Sequence, residues 1–168
     1  AGLMAVWPAS PIFAGDTFAV DIYADTGAVA ADRLYTWELT MSHAVALSYV
    51  AHTANAAFNT PVPTVYPGLL TFSAVGTVPS LAQPGVQGAA VHLLSLSMRL
   101  EAGASAGTLH DAATLTADAL LTLTSKDLAT DATRVAAMLD GRAAPQGSPA
   151  AQLEVAQSEA VALFVAPP

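Results

Sequence analysis

Residues 17–24 alternate without a break. Phe18, Val20, Ile22 and Ala24 fall on one side, Thr17, Ala19, Asp21 and Tyr23 on the other. Side chains point to opposite faces of a strand with period two, so this run buries an apolar face only as a β-strand. Pro11 and Gly15 stand before it and Thr26-Gly27 supplies a turn after it. The same period returns along the chain. Tyr35, Trp37, Leu39 and Met41 alternate with Leu34, Thr36, Glu38 and Thr40; Val45, Leu47 and Tyr49 alternate with Ala46, Ser48 and Val50. Residues 69–77 predict a short strand. Leu94, Leu96, Met98 and Leu100 alternate with Leu93, Ser95, Ser97 and Arg99 in the longest clean run, and residues 113–127 predict one or two more strands. Val161, Leu163 and Val165 repeat the pattern near the end.

Between these runs lie turn signals. Residues 59–68 carry Pro61, Pro63 and Pro67 and read as an irregular connection; Pro79, Pro84, Gly85 and Gly88 mark another loop. In residues 127–150, Asp131 is placed to cap a short helix ending at Gly141, but the Thr and Val there favour a strand or loop. Short strands at this spacing predict an all-β fold: a two-sheet antiparallel sandwich of about nine strands, jelly-roll or immunoglobulin-like.

The 168 residues suit one module spanning 1–168. Hydrophobic residues make up 54% and charged residues only 11%, a composition opposite to that of disordered chains. The net charge of −8 argues against nucleic acid and anionic membrane surfaces, both of which bind through clustered cations. The absence of cysteine excludes disulfides and thiolate chemistry. No apolar run approaches the roughly 20 residues of a membrane-spanning helix. A first residue other than Met and a closing Pro-Pro read as a module excised from a larger protein.

Chemical motifs are sparse. The stretch "GASAG" (103–107) matches the G-x-S-x-G nucleophile elbow, with His110 and Asp111 downstream. An elbow needs a strand, a sharp turn and then a helix, whereas Ser105 falls between two strand patterns. His43, His52, His92 and His110 show no metal-ligand spacing. Asp127 and Asp131, with Thr130 and nearby carbonyls, are the weak candidates for a structural calcium ion; no other cofactor is indicated. No pair of acids stands out for glycoside hydrolysis. For an alternative function as a carbohydrate-binding module, the aromatic platform would be Tyr23 and Trp7; Trp37 shares its face with Tyr35, Leu39 and Met41 and reads as core.

Several segments carry a resemblance. "AGDTFAVDIYAD" (14–25), "LYTWELTMSHAVALSYVAHT" (34–53), "GLLTFSAVGT" (68–77) and "GAAVHLLSLSMRLEAGASAGTLHDAATLTADAL" (88–120) resemble, in order, successive strands of cohesin-type β-sandwiches. That family occurs in bacterial cellulosome scaffolds and in modules of cell-surface and adhesion proteins. Its Asn- and Asp-rich tail is replaced here by "DGRAAPQGSPAAQLEVAQ" (140–157). The resemblance implies a cohesin-like jelly roll without catalysis that engages a protein through a sheet face. With the composition, the expectation is an extracellular or cell-surface structural and adhesion module whose partners are proteins or neighbouring modules.

Overall fold

The computed structural model describes residues 2–26, 33–60, 63–78, 85–123, 152–154 and 158–167. They form ten strands: β1 Gly2–Val6, β2 Thr17–Asp25, β3 Arg33–His43, β4 Leu47–Ala54, β5 Thr64–Tyr66, β6 Thr71–Thr77, β7 Val91–Leu100, β8 Gly107–Leu123, β9 Gln152–Glu154 and β10 Ser158–Val165. One sheet runs β1-β2-β7-β4. The other runs β10-β8-β3-β6-β5, with β9 also on β8. Every pairing between named strands is antiparallel. The expected two-sheet sandwich is therefore the observed one.

The alternating residues meet between the sheets. Phe18, Val20, Ile22 and Ala24 of β2 and Leu94, Leu96, Met98 and Leu100 of β7 are buried from one side. Trp37, Leu39 and Met41 of β3, Phe72 of β6 and Leu115 of β8 are buried from the other. Burying one such side chain contributes roughly 1.5–3 kcal/mol, so this layer dominates stability. Phe58 sits edge-on to Trp37, with ring centroids 6.3 Å apart and planes at 82°.

The sequence reading departs from the structure at bulges and short strands. Leu93 is fully buried beside Leu94, although strict alternation sends it outward. Ile22 pairs with Leu94 and Tyr23 with His92, so Leu93 is the extra residue of a bulge and both leucines face inward. Val45, grouped with Leu47 and Tyr49 in the alternating run, is 77% exposed in the turn before β4. Strand β8 is a single 17-residue strand, longer than β7, and it begins inside the "GASAG" stretch. It escapes alternation because residues 110–112 bulge: Val161 pairs with Ala113 and Leu163 with Leu109, and Asp111 takes φ 51°. Strands β1 and β5 were not expected; both are too short to establish a period. Residues 127–150 lie outside the described residues.

Candidate functional site

The outer face of the six-stranded sheet is a polar surface. On β6, Phe72, Ala74 and Gly76 point inward, so Thr71, Ser73, Val75 and Thr77 point outward. On β3 the outward set is Thr36, Glu38, Thr40 and Ser42. Register brings these residues into ranks across the strands. Thr64 of β5 opposes Ser73, Ser73 opposes Thr40, and Thr40 opposes Thr116 of β8. A second rank sets Tyr66, Thr71, Ser42 and Thr114 side by side. Neighbouring strands lie about 4.8 Å apart, so four strands carry a row of hydroxyls about 14 Å long.

Hydrogen bonds tie the rows together. Thr36 Oγ1 donates to Thr77 Oγ1 at 3.1 Å, Thr40 Oγ1 and Ser73 Oγ are 3.3 Å apart, and Thr40 Oγ1 donates to Asp118 Oδ2 at 2.6 Å. Paired hydroxyls hold each other's rotamers, which orders the face. Glu38 and Asp118 give it negative charge. The cations among the described residues are Arg33 and Arg99. Arg33 donates to the Gly85 carbonyl at 3.3 Å, and Arg99 belongs to the opposite sheet. Tyr66 (44% exposed) and Val75 (40%) supply apolar area beside the hydroxyls.

The opposite sheet holds a different polar group. Ser95 Oγ donates to Asp21 Oδ1, and His92 Nε2 lies 2.9 Å from Ser95 Oγ. Since the serine proton goes to Asp21, His92 must donate from Nε2 to Ser95. A serine nucleophile needs the reverse, a histidine that accepts the hydroxyl proton. This trio is therefore a structural relay, with the Tyr23 ring edge-on to His92 at 5.5 Å.

The residues singled out from sequence do not converge. Ser105 sits in the turn between β7 and β8, and a strand follows it where an elbow requires a helix. His110 and Asp111 are in the β8 bulge, and no side-chain hydrogen bond joins them to Ser105 among the described residues. Trp7 packs on Phe18 at 5.9 Å and belongs with the core, whereas Tyr23 lies on the outer face of the same sheet. The two rings therefore occupy opposite faces and cannot form one platform. Asp127 and Asp131 lie outside the described residues. Among the described residues no three His, Cys, Asp or Glu side chains are grouped to hold a metal ion.

Tyr49 reaches inward from β4 and stacks on Phe72 at 5.2 Å, and its hydroxyl lies 2.7 Å from His52 Nδ1. Burial raises its phenol above the ordinary value of 10.0. The hydroxyl ranks and Glu38 were missed as a site because each outward Thr or Ser alone is ordinary strand surface. Only the register aligns them, although the recurring T-x-T and T-x-S spacing was visible.

No protein-family model and no curated protein sequence matches the chain. Solved structures do. A cohesin module from a family 33 glycoside hydrolase of Clostridium perfringens superposes with a TM-score of 0.57 at 12% identity, over 98% of this chain and 95% of that one. This is a cohesin-like sandwich. The seventh ScaB type I cohesin from Pseudobacteroides cellulosolvens gives 0.54 at 12% identity, over 74% and 80%. A chain from a type I cohesin–dockerin complex of Clostridium thermocellum gives 0.52 at 8% identity, over 73% and 81%. The cohesin-like expectation for the fold thus holds, with little sequence left in common.

Proposed function

We propose that this cohesin-like chain is a non-catalytic protein-binding module, and that its partner docks on the outer face of the six-stranded sheet. The observation that carries the reading is the cross-strand array of Thr64, Ser73, Thr40 and Thr116 with Glu38 and Asp118 beside it. A hydroxyl-bearing sheet face with a few apolar and charged groups suits a protein surface better than a small molecule, which binds in a concave, mostly apolar pocket. The likeness to chains solved within cohesin–dockerin complexes supports a protein partner. Net negative charge favours a partner that brings Lys or Arg to Glu38 and Asp118. We extend the proposal to an adhesive or scaffolding role at the cell surface or outside the cell, supported by the cohesin-like fold and the weakly charged, Ala- and Thr-rich composition.

The test is affinity capture with the chain immobilised, against an extract of the producing cells and their medium. The reading expects a discrete protein whose retention falls about tenfold in Thr40→Arg and in Glu38→Lys, the size of a central interface substitution. Unchanged retention in both variants would overturn it.

A further inference from the structure

The sandwich has four lateral boundaries, and three of them are short, interrupted or partly covered. Strand β4 carries a bulge between Tyr49 and Ala51. Strands β5 and β9 are three residues each, and Pro67 follows β5 at once. The C-terminal end of β10 is taken by Ile12, whose N–H donates to the Phe164 carbonyl at 3.2 Å and whose carbonyl accepts from Ala166 N–H at 2.8 Å. Bulges, short edges, proline and covering segments are the means by which sheets avoid pairing with other chains.

Strand β1 has no such interruption along its length, and β8 of the other sheet comes close to it. β1 is five residues, GLMAV, paired to β2 without a register shift and with no charge or proline. Its two faces are both apolar. Leu3 and Ala5 turn inward, while Met4 and Val6 turn outward at 44% and 47% exposure.

We propose that β1 is a self-association edge, and that two copies pair antiparallel through it about a twofold axis at Met4. The strand is its own complement. In that register Met4 meets Met4 of the second copy, Gly2 meets Val6, and Leu3 meets Ala5, so apolar residues oppose each other on both faces. Charge permits it as well. The nearest carboxylates, Asp21 and Asp25, lie on β2, one strand behind. Across the paired edge the two sets stand three strand spacings apart, about 14 Å. That exceeds the screening length of about 8 Å at physiological ionic strength, so repulsion between two chains of charge −8 is damped at the contact. Five residues span only about 17 Å, so the dimer is a weak one that fills at high concentration. This inference concerns the sheet opposite the proposed partner face, and either can fail without the other.

Sedimentation equilibrium of the full chain, from about 10 µM to about 1 mM, tests it. The expected result is a concentration-dependent dimer that tightens as salt rises from about 0.05 to 0.5 M and weakens at least tenfold in the double variant Met4→Lys/Val6→Lys. Val75→Lys, on the other sheet, leaves the dimer unchanged. Both variants alter exposed positions, and an unchanged melting temperature shows that they fold. A strictly monomeric wild type at about 1 mM, as when another part of the chain covers the edge, overturns the proposal. So does a dimer that the double lysine variant leaves intact, or one that Val75→Lys disrupts.

Discussion

Gly76→Ala tests the packing at the centre of the sandwich. Gly76 opposes Trp37 across the β3–β6 pair, and the indole lies over its α-carbon. A Cβ built there would stand 2.4 Å from Trp37 Cε2 and 2.5 Å from both Cζ2 and Nε1. Trp37 is fully buried, with Phe58 edge-on to it, so the ring cannot swing out into solvent. Overpacking of this kind costs about 1–3 kcal/mol, and more where backbone must shift. For a chain of this size that lowers the melting temperature by about 2–12 °C. The cause is separable by a double-mutant cycle. The three atoms nearest the added methyl include the indole nitrogen, which has no hydrogen-bond partner among the described residues. Leucine has no atom beyond Cδ, so Trp37→Leu removes all three of these atoms, the buried donor without a partner among them. In urea titrations, the loss in Trp37→Leu/Gly76→Ala should fall short of the sum of the single losses by about 1 kcal/mol or more. A Gly76→Ala protein within about 0.5 kcal/mol of wild type, or strictly additive single losses, would refute the reasoning.

Other outcomes follow from single residues. Tyr49 holds its proton more tightly when folded because burial penalises the phenolate. The folded state therefore binds more protons than the unfolded one once pH passes the ordinary tyrosine value near 10, and stability falls as pH rises beyond it. Denaturant titrations across that range should show the fall, and Tyr49→Phe should flatten it. Asp111 sits at φ 51°, which a β-branched residue tolerates poorly; Asp111→Val should cost about 1–2 kcal/mol by thermal melting while Asp111→Gly stays near neutral. Ser105 lies in an open turn with no histidine partner among the described residues, so a fluorophosphonate probe should leave it unlabelled at neutral pH.

The fold was legible wherever a strand ran long enough for its period to show. β2, β3, β7 and β10 each present an inward row of Val, Leu, Ile, Met or aromatic residues, and burial of that row leaves little choice of face. Legibility failed where backbone geometry interrupts the count. Leu93 and the β8 bulge at residues 110–112 each insert residues that pattern reading assigns to the wrong face. Strand β1 is invisible as a strand because both its faces are apolar and it is five residues long. The candidate site was less legible still. Thr40 is one threonine on a strand until Ser73, Thr116 and Asp118 arrive beside it from β6 and β8, and those neighbours are more than thirty positions away in the chain.

The account's central claim is that a protein partner sits on the hydroxyl face of the six-stranded sheet. Photo-crosslinking tests it most directly, with benzoylphenylalanine placed at Thr40 and, separately, at Ala19 on the outer face of the other sheet. In the presence of the cell extract and medium, the account predicts one discrete protein adduct from position 40 and none from position 19. An adduct from position 19 alone, or none from position 40, would contradict it.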